Sequence, residues 1–160
     1  MEAVYRINGK EKRFDISPGD RLLDVLKDNG YMEVKGDCYE GLCGACTVLI
    51  DNIPYASCMV PAAGVCGAKI TTVKGLGDIT NPHLIQQAFV KYGAVQCGYC
   101  TPGQILSAYA LLLRDPDPSE EDIRMALDGN LCRCSGYAQQ VAAVKMAAEM
   151  MREAENDDRA

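Results

Sequence analysis

The chain is poor in the side chains that most often do acid-base chemistry. It has one histidine, His83, and no acid, base or nucleophile pattern surrounds it, so at the first turn of a predicted helix it reads as a structural residue. Neither a G-x-G-x-x-G turn nor a P-loop occurs, which excludes the usual dinucleotide and triphosphate cradles. Basic residues are outnumbered: 16 Lys and Arg against 22 Asp and Glu leave a net charge of -6. That balance argues against nucleic acid as a partner, because phosphate binding needs a basic surface. The longest mostly apolar stretch, Ile105 to Leu113, falls well short of the ~20 residues needed to cross a bilayer, so no membrane insertion is expected. The first residues, Met1-Glu2-Ala3-Val4-Tyr5-Arg6, show no basic-then-apolar leader. A reducing, cytoplasmic compartment is therefore expected, in which the nine cysteines do not read as a disulfide framework.

Those nine cysteines are what the chain has instead. Eight fall into two sets of four with different spacings. The first, Cys38, Cys43, Cys46 and Cys58, is a C-x4-C-x2-C run with a fourth cysteine downstream, the plant-ferredoxin spacing for a 2Fe-2S centre. Short spacers between ligands demand small residues, and Gly36, Gly41, Gly44 and Ala45 meet that demand by letting successive N–H groups turn toward an anionic sulfur. Zinc is the bland alternative, but zinc sites usually pair two short knuckles rather than three ligands in one loop with a remote fourth. The second set, Cys97, Cys100, Cys132 and Cys134, pairs C-x2-C with C-x-C and by spacing alone suits a structural zinc ion equally well. Its position favours an anionic cluster, since each pair precedes a predicted helix and so lies at the positive end of its dipole.

The 160 residues, 48% of them apolar, suffice for one ordinary core, or for two small ones if metal centres help each to hold together. Val4 to Ile16 reads as a hairpin about Asn8-Gly9, and Thr47 to Ile50 with Ile53 to Ala56 as a second about Asp51-Asn52. Between them Leu22, Leu23, Val25 and Leu26 mark a short helix that Gly30 ends, and Lys69 to Val73 alternates like a further strand. The pattern then turns helical. Asn81-Pro82 and Thr101-Pro102 read as cap-and-proline helix starts, Ser119 with Asp122 as a capping box, and Tyr137 to Met151 as a fourth helix. An α+β unit over residues 1–76, a small helical bundle over 77–152 and a solvated, disordered acidic tail over 153–160 are expected.

Two segments carry a specific likeness. Val95-Gln96-Cys97-Gly98-Tyr99-Cys100-Thr101-Pro102-Gly103 and Gly129-Asn130-Leu131-Cys132-Arg133-Cys134-Ser135-Gly136-Tyr137 closely resemble the signature segments of the iron-sulfur subunit of the xanthine dehydrogenase, or molybdenum hydroxylase, family. Gly41-Leu42-Cys43-Gly44-Ala45-Cys46-Thr47-Val48 extends the likeness through the first cysteine set. The resemblance implies a β-grasp, plant-ferredoxin-like domain followed by an all-α four-helix-bundle domain, each with a 2Fe-2S cluster. It also implies a large molybdopterin-binding subunit next to the helical cluster and an FAD-binding medium subunit that takes electrons from the other, in a heterotrimer. Gln96 matches the glutamine that hydrogen-bonds molybdopterin in that family, with Cys97 on the electron path. The reaction implied is hydroxylation of a purine or another aromatic N-heterocycle, with no substrate site on this chain. Carbon monoxide, aldehyde and aromatic-thioester enzymes have similar small subunits, and a free-standing two-cluster carrier is the alternative from another class.

Some positions depart from the family pattern. Gly36-Asp37-Cys38 stands where Glu-Gly-Cys is usual, bringing an acidic residue closer to the first set, and Ser135 replaces a threonine while keeping the hydroxyl. Cys66 belongs to neither set and reads as a thiol without function. Arg133, between two ligands, reads as a charge neutraliser, an interface residue or a plain solvated arginine. Met59 to Val65 reads either as an exposed apolar patch for a partner or as a packed loop between domains.

Overall fold

The computed structural model describes residues 1–157. Its first part is a mixed five-stranded sheet crossed by one helix. Strands β1 (Glu2–Ile7) and β2 (Lys10–Asp15) form an antiparallel hairpin with Ile7 opposite Lys10. Asn8 and Gly9, at φ 50° and 78°, make the left-handed turn that matches strand twist. β1 alternates, burying Ala3, Tyr5 and Ile7. Strands β3 (Thr47–Ile50) and β4 (Ile53–Ala56) form the second hairpin, through Asp51 and Asn52 at φ 50° and 68°. β5 (Lys69–Thr71) joins the two, parallel to β1 and antiparallel to β3, so the order is β2-β1-β5-β3-β4. Helix α1 (Leu22–Asp28) lays Leu22, Leu23, Val25 and Leu26 in the same core as the inner face of β1. A fully buried leucine of this kind contributes about 1.5–3 kcal/mol relative to an exposed one.

Segment 59–65 belongs to this core. Ala62 is buried, Val60, Ala63 and Val65 pack against the core, and the Tyr5 hydroxyl donates to the Ala62 carbonyl at 3.0 Å. Of its large apolar side chains only Met59 stands well out, so the segment is packed, but within the sheet unit rather than between two units.

Four helices follow: α2 (Leu84–Lys91), α3 (Thr101–Arg114), α4 (Glu120–Leu127) and α5 (Ala138–Asp157). They share a second core that includes Ile85, Phe89, Leu111, Ile123 and Val144, with α2 packed on α5 and α3, and α4 on α3 and α5. The Ser119–Asp122 capping box is present. The start expected at Asn81-Pro82 lies instead at His83, whose Nδ1 accepts from the Ile85 N–H at 3.3 Å while the Gln86 side chain accepts from the His83 N–H at 2.8 Å. Asn81 is diverted because Asp78 Oδ1 accepts its N–H and that of Thr80, closing a turn ahead of the helix. The acidic stretch from residue 153, expected to be solvated and disordered, is solvent-exposed but continues α5 in helical form to Asp157; residues 158–160 lie outside the described residues. Among the described residues no helix is long and apolar enough to cross a membrane.

Candidate metal centres

The first cysteine set is built by a loop and a hairpin end. From Gly36 the chain winds through Tyr39, Gly41 and Gly44 at φ 57°, 75° and 69°, conformations that turn backbone N–H groups inward. The Glu40 N–H donates to Cys38 Sγ at 3.4 Å. That donor, with the Cys43 N–H, brings the Cys38 thiol down to about 7, and the Cys43 side chain is hydrogen-bonded to it. Cys46 enters β3, and the β3–β4 register, Thr47 opposite Ala56, returns the chain so that Cys58 reaches it from the 3-10 turn Ser57–Met59. Ser57 clamps this end, its hydroxyl donating to the Cys46 carbonyl at 2.7 Å. Burial pushes the Cys46 thiol up to about 11, with the Cys58 thiol hydrogen-bonded beside it.

The second set sits on two turns that lead into helices. Gly98, at φ 79°, folds the Cys97–Cys100 turn, and Cys100 is the N-cap residue of α3. Cys132 and Cys134 lie on the turn ahead of α5. Burial drives the Cys100 thiol up to about 12, and Cys132 contacts it. Cys132 is partly buried, which acts to raise its pKa, yet the Ser135 hydroxyl at 3.3 Å and the N–H groups of Ser135 and Cys134 hold it below the ordinary thiol value. Cys134 is raised by the Cys97 thiol hydrogen-bonded to it. The Gln96 amide donates to the Cys134 carbonyl at 3.3 Å, so Gln96 ties the two turns together at the exposed edge of the set. Tyr137 braces the other edge, accepting from the Cys132 N–H at 2.7 Å and donating to the Asn130 carbonyl at 3.1 Å.

The eight thiols thus meet in twos: Cys38 with Cys43, Cys46 with Cys58, Cys100 with Cys132 and Cys97 with Cys134. Among the described residues no three His, Cys, Asp or Glu groups converge on a single-ion site. A zinc site needs its four ligands around one point, whereas a two-iron cluster takes two ligands on each iron. The thiol pairs, the inward N–H groups and the glycine turns fit the second kind of centre.

The two sets are joined by a seam that the sequence did not reveal. Tyr99, between Cys97 and Cys100, donates its hydroxyl to the Gly36 carbonyl at 2.8 Å, and the Leu131 N–H donates to the Cys43 carbonyl at 2.9 Å. Gly103 of α3 lies against Gly44: a Cβ on Gly103 would stand 2.3 Å from the Gly44 oxygen. A cavity of about 400 Å³ runs along the seam, lined by Asp37, Cys43, Tyr99, Leu131, Arg133 and the four cysteines of the second set, among others. Arg133 is exposed there. Cys66 is exposed beside the Tyr5 hydroxyl and apart from both sets, and His83 is spent on its cap. The glycines and aromatics of the seam are ordinary in composition, and only their contacts between segments far apart in the chain mark them.

Two family models match, a 2Fe-2S iron-sulfur cluster binding domain over residues 5–64 and a 2Fe-2S binding domain over residues 72–145. The class is therefore an iron-sulfur protein with two adjoining 2Fe-2S binding domains. The nicotinate dehydrogenase small FeS subunit of Eubacterium barkeri is 46% identical over 144 residues, covering 89% of this chain and 92% of that one. The structure of quinoline 2-oxidoreductase from Pseudomonas putida 86 aligns with a TM-score of 0.91 at 37% identity, over 97% of this chain and 98% of the matched chain. Aldehyde oxidoreductase from Desulfovibrio desulfuricans aligns at 0.92 and 40% identity over 95% of this chain, but only 17% of that longer chain. The chain belongs to the small iron-sulfur subunits of the xanthine dehydrogenase, or molybdenum hydroxylase, family.

Proposed function

We propose that this chain is the electron-transfer subunit of a cytoplasmic molybdenum hydroxylase complex and holds two 2Fe-2S clusters, one on Cys38, Cys43, Cys46 and Cys58 in a β-grasp domain (residues 1–76), the other on Cys97, Cys100, Cys132 and Cys134 in a four-helix-bundle domain (77–152). The observation that carries this reading is the grouping of eight thiols into four pairs on two adjoining frames. Clusters held there take up and release single electrons, which divides a two-electron oxidation into one-electron steps. Gln96, Cys97 and Cys134 are exposed, which suits them to face molybdopterin on a large partner subunit. Gln96 would turn its amide to that cofactor while keeping Cys97 in register. Cys43 lines the seam toward the helical set, whereas Cys38, half-buried in the same loop, would stand toward an FAD-binding medium subunit to which electrons leave.

An aromatic N-heterocycle, a purine among them, is the substrate class we favour for the complex, since relatives covered nearly end to end are named for nicotinate and quinoline. The likeness to aldehyde oxidoreductase supports an aldehyde as the second reading. The selective pocket would belong to the large subunit. Metal analysis of the complex purified without air tests the proposal: about four irons and about one molybdenum per copy of the chain are expected, and zinc in place of iron would overturn it. Gln96→Ala should leave both cluster spectra intact and slow single-turnover reduction of iron by substrate. An unchanged rate would remove Gln96 from the path.

A further inference from the structure

Gln104 is a fully buried amide in the first turn of α3, a helix that buries Ile105, Leu106 and Ala108 as well. Its Oε1 faces Cys100 Sγ at 3.6 Å and accepts the thiol proton, while its Nε2 is buried with no hydrogen-bond partner. An orphaned buried donor is among the costlier defects a core can carry, and an orphaned carbonyl oxygen is more often tolerated. The arrangement makes sense once Cys100 is a thiolate, as a metal ligand must be. The S–H donor is then gone and Oε1 would oppose a negative sulfur. Rotating the amide half a turn, a change that needs no backbone movement, exchanges O for N and aims Nε2–H at the sulfur.

We infer that Gln104 is a positioning residue that donates a hydrogen bond to the Cys100 thiolate and raises the reduction potential of the helical cluster; this rests on the cluster reading proposed above. Reduction adds one electron and so one negative charge, part of which the sulfur ligands carry, and a donor to that sulfur favours the more negative state. Ser135 does the same for Cys132, its hydroxyl at 3.3 Å from that sulfur, so both side-chain donors serve the Cys100–Cys132 pair. Gln140 in turn donates to the Ser135 oxygen at 2.8 Å, orienting that hydroxyl.

The test is a redox titration of the intact complex followed by electron paramagnetic resonance, comparing wild type with Gln104→Met, which keeps the volume and removes the donor. The helical cluster should become harder to reduce by on the order of tenfold in the equilibrium, about 59 mV for a one-electron couple, while the other cluster keeps its potential. If Gln104→Met fails to assemble the centre, Gln104→Asn, which withdraws the amide by one methylene, carries the same expectation. An assembled cluster whose potential is unmoved or raised overturns the inference alone. A wild-type complex with no second iron-sulfur signal overturns the cluster reading and this inference with it.

Discussion

Gly103→Ala places a methyl group where two backbones meet. Gly103 has ordinary helical φ, so by helix propensity alone alanine should be neutral or stabilising by up to about 1 kcal/mol. The seam reverses that sign. The new Cβ would lie 2.3 Å from the Gly44 oxygen and 2.6 Å from Asn130 Oδ1, against the 3.4 Å at which ordinary contact begins. The Gly44 carbonyl cannot easily recede, because it accepts from both the N–H of Thr47 at 3.1 Å and its hydroxyl at 2.7 Å. Asn130 is likewise held, donating to Ser107 at 2.8 Å. Relief therefore requires α3 and the first cysteine loop to part by about 1 Å, and overpacking of this kind costs about 1–3 kcal/mol. At about 2–4 °C per kcal/mol for a chain of this size, the thermal midpoint of the metal-loaded protein should fall by several degrees. Gly129→Ala is the control, since a Cβ there meets nothing within 4 Å. Parting the two sets should also weaken the magnetic interaction between reduced clusters, which depends steeply on distance. A Gly103→Ala protein as stable as wild type, with that interaction intact, would refute the reasoning.

Cys43→Ser should abolish the resonance of the ferredoxin-like cluster and Cys132→Ser that of the helical one; loss of both signals from either change would show that the two domains do not assemble independently. Tyr99→Phe removes the bond to the Gly36 carbonyl across the seam, and about 0.5–1.5 kcal/mol of stability should go with it in denaturant titration, with both clusters still assembled. His83 is held neutral by burial, its pKa below the ordinary 6.5. Its contribution is therefore complete above that value and declines as pH falls, because the unfolded chain takes up the proton first. Denaturation across pH 7.5 to about pH 5 should show this decline, and His83→Asn, which keeps a capping side chain, should flatten it. An unaltered slope in that variant would assign the decline to other groups.

Local features were legible before any coordinates. Asn8-Gly9 and Asp51-Asn52 announced their turns because few residues tolerate positive φ, and the α1 stripe announced its buried face through a period that any amphipathic helix obeys. Errors fell where a neighbour competed for a local signal. Asp78 captured the N–H of Asn81, so the cap moved to His83, and helical continuation outweighed charge along Glu153 to Asp157.

Which cysteines form two sets, where glycine must stand between them, and the likeness to a family were determined by the sequence itself, since these depend on spacings along the chain. The pairing of Cys46 with Cys58 and of Cys100 with Cys132, the approach of Gly103 to Gly44, and the unpartnered amide of Gln104 were decided only by the tertiary structure. The reason is physical: each is a distance between groups that the chain brings together across a strand pair, a helix start or a seam between two cores. Composition and periodicity carry no information about such a distance until both cores have packed.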